Sequence, residues 1–252
     1  MSGPGEGRPR RRGLFEPLIF TIVSVTVLIG LGTWQLERKA WKEKLIETVT
    51  LRLAAPPASG LPPRDRWLRL DPNEVEYSRV TFPADFLNEQ EALVYTAGSA
   101  FRSDVSGPGY WAFTPVRLVG GSIVVVNRGF VPLDRKDPKT RSEGALTGIV
   151  DIVGVIRWPD WRGLFTPADE PQNNIWYVRD PKLIAEAKQW GRVAPFYVEQ
   201  EQPLPPGGLP RAGKLEVRLT NNHLQYAVTW FGLAAVFAVS FLFWLRSRRR
   251  EG

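Results

Sequence analysis

The sequence predicts an α+β membrane protein: two transmembrane helices bracket a mostly antiparallel β domain, an open barrel or sandwich that carries one or two helices of its own. Three observations predict it. Two uncharged apolar runs lie near the ends of the 252-residue chain, one of 20 residues (17–36) and one of 22 (224–245). Arginines crowd the outer side of each run. Between the runs the chain breaks into short β-branched and aromatic segments separated by glycine and proline.

Each run is long enough to span. At 1.5 Å of rise per residue, 20 helical residues cover about 30 Å, the thickness of bilayer hydrocarbon. A buried core helix would not suit uncharged runs of this length bounded by arginine clusters. A cleaved signal peptide would need small residues before a cut site, whereas the first run passes straight into Glu37-Arg38-Lys39 and so reads as an uncleaved anchor. Arg11-Arg12 loosely matches a twin-arginine signal, and topological charge is the simpler reading.

The formal net charge of +7 invites a nucleic-acid reading, and its distribution argues against one. Eight of the 33 basic residues flank the runs on their outer sides: Arg8, Arg10, Arg11, Arg12, Arg246, Arg248, Arg249 and Arg250. Three of the 26 acidic residues lie in the same tails, so 37–222 carries only +2. The excess is an orientation signal that puts both termini in the cytoplasm, although Arg38, Lys39, Lys42 and Lys44 on the inner side of the first run reduce the contrast. The expected layout is a basic tail 1–16, a span 17–36, an outer domain 37–222, a span 223–245 and a basic tail 246–252. Sixteen residues before the first span are too few for an amphipathic presequence and spacer. The expected location is therefore a bacterial inner membrane with the domain in the periplasm.

There is no cysteine, which removes disulfides, thiolate nucleophiles and iron–sulfur clusters, and a domain of this size folds without such staples. One histidine, His223, excludes a His-based metal cluster from a single chain.

Along the domain, Leu45, Ile46 and Val49 repeat at helical spacing, so 37–53 continues the first helix outward. The stretch 54–63, AAPPASGLPP, breaks it. Strands are expected at 77–82, 92–96 and 111–116, then a hairpin of 115–119 and 122–127 around the turn Gly120-Gly121. Val124-Val125-Val126 is apolar on both faces, as a strand inside a sheet should be. Further strands are expected at 149–158, 175–178, 196–199 and 215–218. A helix is expected over 181–190 with Leu183, Ile184 and Ala187 on one face, and 202–210, QPLPPGGLP, reads as a loop.

Candidate functional residues cluster at one membrane rim. His223 precedes the second span and follows Asn221-Asn222, a good N-cap pair. A helix N-terminus disfavours a positive imidazolium, so this histidine is biased toward the form with a lone pair to offer iron. Tyr226, Ala227 and Trp230 follow on its face. A plain interfacial histidine, bonded to headgroups or a loop carbonyl, is the competing reading. Trp34, Gln35 and Arg38 end the first span at a similar depth. Trp34 suits an interfacial anchor, Gln35 a partner on the other helix or a ligand, and Arg38 an anionic headgroup or cofactor carboxylate. In Asn127-Arg128-Gly129-Phe130, Arg128 reads either as an anion or partner contact or as a salt-bridged strand end. The serines and lysines at 135–142 lack the spacing of a Ser–Lys hydrolase, and no acid–base constellation is recognisable, so the chain reads as no enzyme.

Three segments, in order, resemble the surfeit locus protein 1 family of cytochrome c oxidase assembly factors. They are Gly32-Thr-Trp34-Gln35-Leu-Glu-Arg38-Lys-Ala-Trp-Lys42, Val126-Asn127-Arg128-Gly129-Phe130-Val131-Pro132, and Asn221-Asn222-His223-Leu-Gln225-Tyr226-Ala227-Val-Thr-Trp230-Phe231-Gly232. The two-span layout matches as well, so the resemblance covers essentially the whole chain. It departs at Phe130, where the family often carries Trp. The resemblance implies a non-catalytic role in building the haem-copper oxidase, at the entry of haem a into the catalytic subunit, with His223 as the iron ligand. On that reading Gln35, Trp34, Arg38, Tyr226 and Trp230 surround the cofactor, and Arg38 or Arg218 would meet its propionates. Partners would be cytochrome c oxidase subunit one, the haem a synthase and the lipid bilayer, with no nucleic acid. The alternative within the resemblance is a scaffold that holds subunit one and the synthase together without binding haem.

Overall fold

The structure, a computed structural model, describes residues 14–99, 101–216 and 221–250. In chain order the elements are α1 (Phe15–Ala54), β1 (Ala58–Ser59), α2 (Pro72–Val75), β2 (Arg79–Phe86), β3 (Ala92–Gly98), β4 (Ser106–Leu118), β5 (Ile123–Pro132), β6 (Ile149–Arg157), β7 (Ile175–Trp176), α3 (Pro181–Ala187), β8 (Val193–Gln202) and α4 (His223–Arg250), with short 3-10 turns between them. They divide into two compact units: the stretch up to Leu45 together with that from Thr220, and Ile46–Leu219.

In the first unit, α1 and α4 are long and apolar enough to cross a membrane. Their large side chains point outward: Phe20, Val236 and Phe243 are all exposed. In water such faces would be costly; in hydrocarbon they lie in their own solvent. Two hydroxyls inside the first run are satisfied within their own helix. The hydroxyls of Thr21 and Thr33 donate to the carbonyls of Pro17 and Ile29 one turn back, at 2.8 and 3.0 Å. Helix α1 runs unbroken to Ala54 and includes the expected outward continuation. Arg8, Arg10, Arg11 and Arg12 of the basic tail lie outside the described residues, as does Arg218.

In the second unit five strands close a barrel. Around the ring, β2 pairs with β6, β6 with β8, β8 with β5, β5 with β4, and β4 returns to β2 through Ala84–Leu118, Asp85–Arg117 and Phe86–Val116. All these pairings are antiparallel except β5 with β8. One face of all five strands fills the barrel: Val80, Phe82, Ala84, Phe86, Val116, Val124, Val126, Ile152, Ile156, Phe196 and Val198. Trp67, from the 3-10 turn Arg64–Arg69, joins them, and its indole N–H donates to the Pro62 carbonyl at 2.7 Å. The opposite face of β4, β5 and β8 builds a second core with β3, β7 and α3 around Trp111, Phe113, Val125, Trp176, Ile184 and Tyr197. The Val124-Val125-Val126 run is therefore apolar throughout because its strand lies between two cores. Its residues alternate between them with the period of two that a strand imposes.

Several boundaries differ from the sequence expectation. The β4–β5 turn holds four residues rather than two. Gly121 N–H donates to the Leu118 carbonyl at 2.8 Å, and Gly121 itself takes the left-handed region (φ +78°), so Val119 and Ser122 belong to the turn. Helix α3 ends at Ala187, and Ala185 rather than Ala187 joins Ile184 in the core. Its start is fixed by Asp180, whose carboxylate accepts from the N–H groups of Lys182 and Leu183. Leu215 and Glu216 are not in a strand, and the rest of the strand expected at 215–218 lies outside the described residues.

Candidate functional site

The residues singled out at the membrane rim fall within the helical unit. Helix α4 begins at His223. The Asn222 carbonyl accepts the first helical hydrogen bond, from Tyr226 N–H at 3.3 Å, and the Asn221 side chain accepts from His223 N–H at 3.4 Å. The same Asn221 side chain makes a long bond to the Lys39 carbonyl of α1 at 3.5 Å.

The His223 ring faces α1, with Nδ1 2.7 Å from Oε1 of Gln35. An amide oxygen accepts, so Nδ1 carries a proton, and in the neutral ring Nε2 then presents its lone pair. Among the described residues Nε2 has no protein partner. Arrangements of this kind orient a metal-binding imidazole: one ring nitrogen is held by a hydrogen bond so that the other is aimed.

Below this bond the two helices pack closely. A Cβ on Gly32 would sit 2.6 Å from the Phe231 ring, so glycine is what lets the aromatic lie against the backbone of α1. Ala227 and Ala234, two turns apart, are the buried residues of α4. Phe20 and Phe237 meet further along, their ring centroids 6.4 Å apart.

The remaining candidates are arranged differently. The Arg38 guanidinium stacks on Trp41, 4.2 Å from the ring centroid. Trp34 and Tyr226 are about half exposed, and Trp230 is partly buried. Gln35 and His223 are thus the two that directly bond. The Gly32–Phe231 contact escaped sequence reasoning. Its one legible sign was a glycine inside an otherwise bulky apolar run.

The middle motif, Asn127-Arg128-Gly129-Phe130, does a different job, and the readings of Arg128 as an anion or partner contact and as a salt-bridged strand end both give way. Arg128 is buried, with its guanidinium over the Phe86 ring, bonded to Asn88 Oδ1 at 3.0 Å and to the Gly144 carbonyl. No carboxylate pairs with it among the described residues, and burial lowers its pKa to about 10. Gly129 has φ +125°, and a Cβ there would lie 2.2 Å from the Arg211 backbone. The motif packs the 209–213 segment onto β5.

A second buried polar cluster lies where β6 ends. Arg157 is stacked over Tyr77 and Phe101 and reaches Glu76 at 3.3 Å and Glu199 at 3.4 Å. Arg179 bonds Asp160 at 2.6 Å and comes within 3.6 Å of Glu199. Burial alone would lower the Arg157 pKa, but the surrounding tyrosines and carboxylates more than reverse this, so it stays charged. These charges are paired, and their role is to hold the strand ends together. Among the described residues no three His, Asp or Glu side chains converge as a metal site.

A two-span membrane protein with a barrel domain and a Gln-oriented histidine at the start of its second span is the class these observations define. Comparison with known proteins makes it specific. Residues 22–235 match the model of the SURF1 family. Over 245 residues the chain is 35% identical to Surfeit locus protein 1 of Rattus norvegicus, covering 92% of this chain and 76% of the relative. Against the Homo sapiens protein of that name the identity is 34% over 249 residues, with 93% and 78% covered. Against a SURF1-like protein of Monosiga brevicollis it is 33% over 243 residues, with 93% and 89% covered. The chain belongs to the SURF1 family, a family of cytochrome c oxidase assembly factors.

Proposed function

We propose that this chain is a non-catalytic assembly factor that binds haem a through His223 and helps deliver it to cytochrome c oxidase subunit one, with the haem a synthase as donor. The observation that carries the reading is the Nδ1–Oε1 bond of 2.7 Å from His223 to Gln35, which leaves Nε2 with no protein partner among the described residues. Haem iron takes an imidazole nitrogen as its axial ligand, and a hydrogen bond to the other ring nitrogen tunes and orients that ligand. Trp34, Tyr226 and Trp230 supply aromatic surface at the same membrane rim for a flat macrocycle, and Arg38 supplies charge for propionates. With one histidine per chain, a second axial histidine would come from a second copy. The expected membrane remains the bacterial inner membrane with the domain in the periplasm. It belongs to this proposal, since the relatives named above are eukaryotic.

The test is the optical spectrum of the detergent-purified protein, co-produced with the haem a synthesis enzymes, for wild type, His223→Ala and Gln35→Ala. The expected result is a haem a spectrum that His223→Ala abolishes and Gln35→Ala shifts or weakens. Wild-type protein without haem, in cells whose oxidase assembly still depends on it, would overturn the carrier reading and leave the scaffold.

A further inference from the structure

The group that holds the His223 ring is neutral. Nδ1–H donates to Oε1 of Gln35 across 2.7 Å, and the ring has no other hydrogen-bond partner among the described residues. No carboxylate reaches it there. Glu37, two positions after Gln35, lies on another face of α1, and Glu43 is paired with Lys39 at 2.7 Å.

Shape does not dictate the amide. Glutamate has the same skeleton, and Gln35 is only partly buried by protein at the end of its span. The chemical difference is large. A carboxylate that accepts from Nδ1–H draws the proton toward itself and raises the basicity of Nε2. Hydrogen bonds to an ionised group are roughly twice as strong as neutral ones, so an amide oxygen does far less of this. His223 is therefore aimed without being strengthened.

We propose that Gln35 is a positioning residue that sets how readily His223 gives up haem: its amide aims Nε2 yet keeps it a weak donor, so that iron can pass to another ligand. This rests on the haem a reading above and adds what governs release. The exchange needs no electrons and no net proton. The Nε2–iron bond breaks with its electron pair remaining on nitrogen, the receiving ligand supplies a new pair, and iron keeps its oxidation state. Nδ1 keeps its proton throughout, because an amide oxygen is too weak a base to take it.

Two substitutions at Gln35 pull in opposite directions. The full chain would be purified in detergent with haem a as wild type, Gln35→Glu and Gln35→Met. The readings are the rate of haem loss to excess apomyoglobin, the reduction potential of the bound haem and the iron–histidine stretching frequency of its ferrous form. Partners of this kind change metal affinity by about 10–100-fold, so Gln35→Glu should lose haem more slowly by about that factor. Its potential should fall and its stretching frequency rise, because a stronger donor favours ferric iron. Gln35→Met should move all three the other way. In cells, Gln35→Glu should hold more haem than wild type and yet support less mature oxidase.

A purely structural role for Gln35 would make both variants lose haem faster, and that result would overturn the proposal. So would a Gln35→Glu protein that matches wild type in loss rate and potential. If Gln35→Glu does not fold, Gln35→Met decides, and a potential and frequency unchanged from wild type would count against the proposal. Wild-type protein without haem removes the carrier reading itself, whereas haem in wild type with no difference among the variants removes only this inference.

Discussion

Replacing Gly129 by alanine tests whether the Asn127-Arg128-Gly129-Phe130 motif is a fold element or a docking surface. Two costs arise at once. The backbone sits at φ +125°, where a residue with a Cβ pays about 1–3 kcal/mol. The new methyl would also lie 2.2 Å from the carbonyl carbon and oxygen of Arg211 and 2.5 Å from Ala212 N. These are backbone atoms, so no side chain can swing aside. The 209–213 segment must retreat and lose the Phe130–Arg211 bridge, whose two hydrogen bonds measure 3.1 and 2.8 Å. Each is worth about 0.5–1.5 kcal/mol net. The sum is about 2–6 kcal/mol, centred near 4, a large part of the roughly 5–15 kcal/mol that holds a domain folded. For a domain of this size the central value corresponds to a fall of about 8–16 °C in Tm. Thermal unfolding of the detergent-solubilised full chain, followed by near-ultraviolet circular dichroism, measures it. A Gly129→Ala protein within about 0.5 kcal/mol of wild type would refute the reasoning and return the motif to the surface.

Three further outcomes follow from the same structure. Arg141→Ala leaves Glu91 buried without its bidentate partner, one arm of which is 2.8 Å long, and should cost about 3–5 kcal/mol in chemical denaturation, while Glu91→Gln with Arg141→Met should cost less. Gly32→Leu should displace Phe231, lengthen the Gln35–His223 bond and lower haem content in the optical assay, with Phe231→Ala restoring part of it in the double variant. The hydrogen bond from Arg102 holds the Asp104 carboxyl below its usual pKa of 3.8, against a smaller effect of burial. A depressed carboxylate stabilises above its unfolded pKa and loses that contribution as pH falls through the folded one. Asp104→Asn should therefore lower Tm at pH 6 and cease to matter in strong acid; the effect is a fraction of a kcal/mol, because Asp104 is 44% exposed.

What the sequence made legible was what local patterns encode. Run length and flanking arginine marked the spans, and Val124-Val125-Val126 marked a strand with a core on each side. Closure of the barrel was not legible, because it depends on β4 pairing with β2 between residues some thirty positions apart, and no local period records that. Arg128 misled for a related reason. An arginine beside a glycine at a strand end looks solvent-facing, and only the fold reveals that Asn88 and the Gly144 carbonyl are waiting for it. At the membrane rim the sequence put Gln35 and His223 at similar depth but could not choose the bonded pair. Arg38, expected to meet an anionic headgroup or a cofactor carboxylate, stacks on Trp41 one turn away, a contact the sequence did not single out.

The helix pair has the energetics a carrier needs. At the rim the Gln35–His223 bond and the long Asn221–Lys39 contact tie α4 and its N-terminal cap to α1, and interhelical hydrogen bonds in membranes contribute only about 0.6 kcal/mol on average. Apolar contacts accompany them, Gly32 against the Phe231 ring and Phe20 against Phe237. A ligand held by one histidine between these helices would, under the proposed role, be bound specifically but not tightly. Under the proposed role, that combination lets a receiving subunit with stronger axial ligation take the haem without an energy source.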